Sequence, residues 1–294
     1  MATKQTARKS LGRRSISNKP LVKKLVETPP VSIITVTQYI RRECLINLSM
    51  LIKQQVYKNI IEWVIVEGTP TKADAGKNAQ LISELKSDIP INYVPFQPNK
   101  QLSDLRNAGN QASKGEIIVC MDDDDYYPPM RICHAVYQLQ HSSKGALIAG
   151  CSRAYIYFYQ TGQFFQFNSF GQTHSTNNCL AYKWQYLLNH AYAPGLAKAE
   201  ESSFTNGFSE PMEQLDADKT IVMSGHGTNT VDKSWLMHSP SKMVVEINPA
   251  TLVLEYIPLP ILLKMEKILE QELINRRAYA KEPVSNNAGE KWSK

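Results

Sequence analysis

The strongest constraint on the fold is an alternation of short apolar runs with amphipathic segments between residues 31 and 121. Continuous runs such as VSIITV (31–36) are typical of strands that are covered on both faces. Strands and helices that alternate through short polar links predict an α/β fold with a mostly parallel sheet and helices on both faces. The expected strands are Val31–Val36, Glu62–Gly68, Ile91–Phe96 and 116–121, and the expected helices are Leu45–Gln55, Lys77–Lys86 and Leu102–Ala112.

The second half of the chain is less regular. The run ALIAGCSRAYIYFY (146–159) predicts further strand, Asn178–Leu188 a helix and 200–208 a short helix. An aromatic-rich stretch from Tyr155 to Phe167 fits the packed core of a β-ribbon better than an acceptor platform. The last predicted helix, Ile261–Arg277, has one apolar face. That face consists of Ile261, Met265, Ile268, Leu269 and Leu273.

Basic charge is concentrated at the N-terminus. Residues 1–24 contain eight of the 33 basic residues and no acid, so the remaining 270 residues contain 25 basic and 27 acidic residues. Because few large apolar residues occur there, residues 1–28 are predicted to be a disordered basic tail. The folded domain is expected over 29–282, with a nucleotide-binding half (29–130) and an acceptor half (131–282), and 283–294 is expected to be flexible.

Cysteine usage and hydropathy indicate a soluble, cytoplasmic protein. The five cysteines form no CxxC pair and lie in apolar surroundings, which is typical of reduced core thiols. No apolar run approaches the roughly 18 residues that a membrane-spanning helix needs, and the N-terminus has no apolar secretion signal.

The segment IIVCMDDDDYYPP (117–129) is an apolar strand that ends in four carboxylates. Adjacent carboxylates repel one another unless a cation offsets their charge. A Mg²⁺ or Mn²⁺ ion that also binds a substrate phosphate would do so. A solvated acidic turn is the alternative, but ligand sites favour the carboxyl ends of strands, and this position favours a binding site. Motifs of dinucleotide folds, phosphate loops and serine hydrolases are absent.

Three segments together resemble the nucleotide-sugar domain of GT-A glycosyltransferases, in particular family 2. They are VSIITVTQ, VIVEG and LRNAGNQASKGEIIVCMDDDDYYPP, within residues 31–130. The resemblance implies a GT-A (Rossmann-like) fold, a nucleoside diphosphate-sugar donor and a metal held by a DxD motif. By matched position it implies nucleotide-sugar contacts from Thr37, Glu67, Arg106, Asn107, Asp122 and Asp123, and metal ligation by Asp122 and Asp124. Glu67 stands where the family has Asp.

The resemblance also implies a base and a further metal ligand in the second half. Inverting sugar transfer needs a carboxylate that takes the acceptor proton. Glu201 is the expected base and Glu200 its orienting neighbour, although two acids at a helix start also suit the helix dipole. His226, between two glycines, matches the family's third metal ligand, and a turn residue is the alternative.

A polar segment, FGQTHSTNNCLAY (170–182), offers hydrogen-bonding side chains to a sugar or an acceptor. The candidates are His174, Asn177 and Asn178. Capping of the predicted helix is the other role for the asparagines.

Residues Thr3–Ser10, TKQTARKS, resemble the start of the histone H-three tail over eight successive positions. The tail's second-position arginine is missing, since Thr3 directly follows Ala2. The resemblance implies that Lys4, Lys9 and Ser10 are offered to chromatin readers or modifying enzymes, and it suggests a nuclear location.

These observations favour a metal-dependent glycosyltransferase of the hexosyltransferase type. We expect it to move a sugar, with inversion, from a UDP-sugar to a hydroxyl of a glycan or a protein. The alternative is a catalytically degenerate GT-A-like binding protein whose histone-like tail engages chromatin factors.

Overall fold

The computed structural model describes residues 28–95, 100–226 and 243–279, so residues 1–27 of the basic tail and residues 283–294 lie outside the described residues. The helices are α1 (Arg42–Lys53), α2 (Lys72–Glu84), α3 (Leu102–Ala112), α4 (Arg131–Gln140), α5 (Glu201–Phe204), α6 (Ala217–Thr220) and α7 (Leu259–Tyr279). The strands are β1 (Val31–Thr37), β2 (Ile60–Glu67), β3 (Ile91–Val94), β4 (Ile117–Cys120), β5 (Ile148–Gly150), β6 (Tyr155–Phe158), β7 (Gln163–Phe167), β8 (Ala181–Lys183), β9 (Met212–Gln214), β10 (Val222–Gly225) and β11 (Val244–Glu246).

The main sheet has the strand order β3-β2-β1-β4-β8-β5-β9. β1 pairs in parallel with β2 and with β4, and β2 pairs in parallel with β3. Along the chain, β2 and β3 are added to the sheet on one side of β1, and β4 is then added on the other side of β1. The carboxyl ends of β1 and β4 therefore border a switch point of the topology, where open α/β sheets bind ligands. The predicted α/β class and mostly parallel sheet are confirmed.

The predicted helix over Asn178–Leu188 is wrong. This segment contains the short strand β8, which lies between two 3-10 helices, Asn177–Cys179 and Trp184–Leu188. β8 is antiparallel to both β4 and β5, and its residues Ala181 and Tyr182 are buried. Periodicity alone cannot distinguish a short buried strand from a helix, and here the two neighbouring strands decided the conformation.

The run 146–159 forms two strands in different sheets. β5 belongs to the main sheet, whereas β6 belongs to a second sheet of order β10-β6-β7-β11. The aromatic side chains of Tyr157, Phe158, Phe164 and Phe165 are buried in the core, as expected for a packed ribbon. β10 is also tied to the acidic segment by a bridge between Tyr126 and Val222. The second sheet thus carries the end of β10 to the same edge as the aspartates.

Helix α7 packs against α1 and against the 3-10 helix Tyr39–Arg41. Of its predicted apolar face, Met265 and Leu269 are buried and the other three members are half-buried. All five cysteines are buried, as expected for core thiols, and each is free. Within the described ranges we find no helix with the length and hydropathy of a membrane span.

Gly115, just before β4, lies against the backbone of β1. A Cβ atom at this position would lie 2.4 Å from the Ser32 nitrogen and 2.8 Å from the Val31 carbonyl carbon. We expect Gly115→Ala to lower the free energy of unfolding by about 1–3 kcal/mol because backbone must shift. The matched control is exposed Gly76 in α2, where an added Cβ atom would meet nothing within 4 Å apart from its chain neighbours and its own helix backbone. Gly76→Ala is expected to raise that free energy by about 0.5–1 kcal/mol. Urea unfolding checks both signs, and equal effects would contradict the close contact.

Candidate active site

Four consecutive aspartates follow β4, and the last of them anchors the segment. Asp125 accepts hydrogen bonds from Asn178 Nδ2 (2.6 Å) and from the Ser224 backbone N–H (2.8 Å). These partners come from the segment before β8 and from β10, so the acidic turn is held between the two sheets. Asn178 therefore contacts the acidic segment itself, and its binding of a sugar or acceptor stays a prediction.

Asp123 and Asp124 share one cationic side chain. Asp123 accepts a hydrogen bond from Thr37 Oγ1 at the end of β1 (2.7 Å), which places both predicted residues at the switch point. Arg41 Nη1, one short 3-10 turn beyond β1, lies 2.9 Å from Asp123 Oδ1 and 3.0 Å from Asp124 Oδ2. Both carboxylates are buried, so the Arg41 guanidinium offsets negative charge that water cannot solvate.

Burial and charge move the pKa values of this group. Burial raises the pKa of Asp123 to about 6; Arg41 opposes the shift and the neighbouring Asp124 carboxylate adds to it. Burial also lowers the pKa of Arg41, but the carboxylates of Asp124 and Asp123 outweigh it and the net pKa is raised. Arg41 is therefore a permanent cation in the site.

Arg106 in α3 joins the first aspartate to the acidic pair of the second half. Its Nη1 lies 3.0 Å from Asp122 Oδ1, and its Nε donates to Glu200 Oε1 at 2.8 Å. When the Asn177 amide nitrogen faces the Tyr192 hydroxyl, the Asn177 amide oxygen lies 2.8 Å from Arg106 Nε. The structure thus brings three of the predicted site residues together around the buried guanidinium of a fourth, Arg106.

Glu201 begins helix α5, next to that ion pair. Burial raises the pKa of its half-buried carboxyl; the charges of Glu200 and Asp122 add to the shift and Arg106 opposes it. Glu200 is paired with Arg106, whereas Glu201 is the partly accessible member of the pair. A carboxyl whose pKa is shifted toward neutrality is a better proton acceptor for a hydroxyl than an ordinary glutamate.

Asp124 and His226 are the two predicted metal ligands that meet. His226 Nε2 lies 3.0 Å from Asp124 Oδ2, at the end of β10. In the described part of the chain, no three His, Cys, Asp or Glu side chains form a closed metal site. Asp122, the third predicted ligand, faces Arg106 instead. One carboxylate and one imidazole fit a divalent ion such as Mn²⁺ that takes its other ligands from water and a diphosphate.

Two residues of the predicted nucleotide site are engaged inside the protein. Glu67 is completely buried and accepts hydrogen bonds from the Thr69 N–H, from Asn78 and from the Tyr93 hydroxyl. Asn107 exchanges two hydrogen bonds with the backbone of Tyr192, at 2.8 and 3.0 Å. Direct contact of either side chain with a nucleotide stays a prediction, and it requires one of these partners to move.

His174 lies among aromatic rings. Its Nδ1 is 3.2 Å from Ser152 Oγ, and its ring centroid is 5.1 Å from that of Phe170 and 4.7 Å from that of Phe208. Burial lowers the pKa of His174, which favours the neutral ring. A role in binding the acceptor or the sugar stays a prediction.

Two ionisable residues near the site, Arg41 and Glu272, are not indicated by the sequence patterns. Arg41 lies four residues beyond the end of β1, and a basic residue placed so soon after that strand could have been matched to the acidic edge. Glu272 lies on α7, about 150 residues from the aspartates, and no local signal marks it. Burial raises the pKa of Glu272 to about 8, and the nearby Arg41 and Cys44 offset only part of that shift.

Comparison with known protein families gives one match over more than half of the chain. The sequence profile of "Glycosyl transferase family 2" matches residues 32–191. The chain belongs to glycosyltransferase family 2. This matched range contains all four aspartates and Arg106, whereas Glu200, Glu201 and His226 of this family 2 protein lie beyond it.

Two solved structures are similar to this chain, and the first of them, with a TM-score above 0.5, shows the same fold. The mannosyltransferase PcManGT from Pyrobaculum calidifontis, in complex with GDP-Man and Mn²⁺, aligns with 88% of this glycosyltransferase and with 77% of its own chain, at TM-score 0.52 and 14% identity. S. aureus TarS 1–349 in complex with UDP-GlcNAc aligns over 87% and 76%, at TM-score 0.48 and 14% identity. Among curated protein sequences, none matches this family 2 chain. The GT-A fold predicted from the sequence is confirmed.

Proposed function

We propose that this chain transfers a sugar from a nucleoside diphosphate-sugar to a hydroxyl acceptor, with inversion at the anomeric carbon. One observation carries the proposal: Thr37, Asp123, Asp124 and His226 converge at the crevice between the ends of β1 and β4. The GDP-Man and Mn²⁺ in the structure of PcManGT support a nucleotide-sugar and a divalent metal as ligands of this fold. UDP-sugars are the donors that we expect here, and a glycan or protein hydroxyl is the expected acceptor.

Glu201 is the proposed base. Its carboxylate takes the proton from the acceptor hydroxyl while the acceptor oxygen forms a bond to the anomeric carbon. The bond between that carbon and the diphosphate oxygen breaks, and the electron pair leaves with the nucleoside diphosphate. Glu200 is the proposed positioning residue because its pairing with Arg106 at 2.8 Å fixes the start of α5.

Mn²⁺ or Mg²⁺ would be held by Asp124 and His226, with Asp122 as a further ligand if it releases Arg106. When bound, the metal supplies positive charge to the departing diphosphate. The residues proposed to bind the nucleotide-sugar are Thr37, Glu67, Arg106, Asn107, Asp122 and Asp123, and those proposed to bind sugar or acceptor are His174, Asn177 and Asn178. Of these, Arg106 is the one cation that could reach both the diphosphate side and the base.

Thermal unfolding with UDP, GDP and CMP, each with and without Mn²⁺, tests the proposal. A ligand that binds the native state raises the unfolding temperature by mass action. We expect one nucleotide, UDP, to raise it in a manner that depends on Mn²⁺, and Asp124→Asn to remove the metal-dependent part. The control is Asp88→Asn, because exposed Asp88 pairs only with exposed Lys53 among the ion pairs of the described residues. An unchanged unfolding temperature with every combination would contradict the proposal.

The histone-like tail lies outside the described residues. We propose, from the sequence resemblance of residues 3–10, that Lys4, Lys9 and Ser10 are recognised by chromatin readers or modifying enzymes. Capture of histone H-three-tail readers by the full chain, compared with a chain lacking residues 1–28, tests this second role. Equal capture by both chains would refute it.

A further inference from the structure

Arg41 is a cation built into the acidic site. Its Nη1 lies 2.9 Å from Asp123 and 3.0 Å from Asp124 Oδ2, and His226 Nε2 lies 3.0 Å from that same Asp124 oxygen. A metal ion and the Arg41 guanidinium that both approach this buried carboxylate oxygen would repel each other strongly, because little solvent screens their charges. A divalent metal held by Asp124 and His226 therefore competes with the Arg41 guanidinium.

Glu272 is a buried acid close to Arg41. It lies on α7, which packs against the 3-10 helix that ends at Arg41. Glu272 is only 3% exposed, and neither of its carboxylate oxygens accepts a hydrogen bond. The Cys44 thiol lies close enough to lower the pKa of Glu272, but neither carboxylate oxygen has a donor within ordinary hydrogen-bond geometry. A buried carboxyl without a donor is unfavourable, whereas a guanidinium offers five donors.

The charges of Arg41 and Glu272 already interact in this arrangement, in which Asp123 and Asp124 hold the guanidinium. Arginine has a long flexible side chain, so its head can turn toward another acid without a change in the backbone. Glu272 and the aspartate pair are thus two acidic partners on different elements, and Glu272 would ionise when the guanidinium pairs with it.

We propose that Arg41 exchanges between two acidic sites: the Asp123–Asp124 pair when no metal is bound, and Glu272 when a divalent metal occupies Asp124 and His226. The inference rests on the proposed function, because it requires metal binding at Asp124. Arg41 is then an internal competitor that offsets part of the charge of the two aspartates while no metal is bound. Glu272 is a positioning residue that favours the open site.

Linkage gives the direction of each effect. When only a fraction of the protein is in the state that can bind a ligand, the apparent affinity for that ligand is reduced in proportion to that fraction. Removal of the Arg41 charge removes the competitor, so metal affinity should rise. Replacement of Glu272 by a residue that cannot ionise removes the second partner of Arg41, so metal affinity should fall. In a chain without Arg41, Glu272 has no guanidinium to attract away from the aspartates. Substitution of Glu272 should then leave metal affinity unchanged.

Isothermal titration of the full chain with Mn²⁺ alone measures these effects. We expect Arg41→Met to bind Mn²⁺ about tenfold more tightly than the unmodified chain, and Glu272→Gln to bind it several-fold more weakly. In the Arg41→Met background, Glu272→Gln should have no further weakening effect. Arg42→Met is the matched control, because Arg42 is a half-exposed neighbour that contacts Tyr39 and Glu43 but no aspartate.

Several results would overturn the inference. Weaker or unchanged Mn²⁺ binding in Arg41→Met would do so, as would equal effects of Glu272→Gln in both backgrounds. Thermal unfolding in EDTA verifies that each variant is folded. If Arg41→Met does not fold, Arg41→Gln is used in its place. If Arg41→Met instead weakens UDP binding in EDTA, Arg41 is a diphosphate ligand; the exchange is then wrong while sugar transfer still stands. If no variant binds Mn²⁺, the metal requirement and the exchange fail together, and an assay of transfer in EDTA decides on the transferase itself.

Discussion

Glu201→Gln is expected to reduce sugar transfer by a factor of about 10²–10⁴, which is the range that one general base contributes. The amide keeps the shape of the side chain but cannot take a proton. Because Glu201 is assigned no contact with the donor, the Mn²⁺-dependent stabilisation by the nucleotide should not change. Transfer rates under saturating donor and thermal unfolding with nucleotide measure the two effects separately.

The pH dependence sharpens this test. Transfer requires ionised Glu201, so its rate should fall as the pH is lowered through the pKa of that carboxyl. Burial raises this pKa, and the fall should therefore occur at a higher pH than for an ordinary glutamate. The acidic limb should disappear from the residual rate of Glu201→Gln. The control is Glu210→Gln, since Glu210 pairs with His190 away from Arg106. Full activity of Glu201→Gln would assign the base elsewhere.

Arg106→Gln is expected to destabilise the fold by about 3–5 kcal/mol, because it leaves the buried carboxylate of Glu200 without its cation. Urea unfolding measures this loss. The same change in a half-exposed pair, Arg42→Gln beside Glu43, should cost about 0–1 kcal/mol.

A double variant distinguishes charge from packing at this site. If the unpaired carboxylate causes the loss, Arg106→Gln with Glu200→Gln should recover part of it, since no buried charge is then left alone. A loss in the double variant equal to the sum of the two single losses would contradict this account. Equal effects of Arg106→Gln and Arg42→Gln would show that the buried network contributes little.

The two arginines explain how an apolar strand can end in four carboxylates. Arg106 pairs with Asp122, and Arg41 bridges Asp123 and Asp124, while neutral donors satisfy Asp125. The segment is therefore neither a solvated acidic turn nor a group of equivalent metal ligands. Each aspartate has a distinct environment, which is why a substitution at one of them should not reproduce the effect of another.

Much of the first half could be predicted from the sequence. Strands β1 to β4 and helix α3 lie where the apolar runs and the helical spacing predict them. Both patterns are local in the sequence, and runs of β-branched residues indicate the buried strands. The second half was predicted less well. β8 lies in a segment whose pattern predicts a helix, and the run that contains β5 and β6 gives no sign that its two parts enter different sheets. Short segments of three or four residues carry too little pattern to distinguish these outcomes.

The site shows the same division. By itself, the sequence determined that an acidic segment ends a buried strand at the ligand-binding edge of a parallel sheet, since both the strand and the acids are contiguous in the chain. Only the tertiary structure decided which partner each acid meets. Arg41 is 82 residues from Asp123, and His226 is 102 residues from Asp124. Glu272 approaches Arg41 only because α7 packs on the 3-10 helix beyond β1. Contacts between such distant segments depend on how strands and helices pack in three dimensions, and local residue patterns carry no information about that packing.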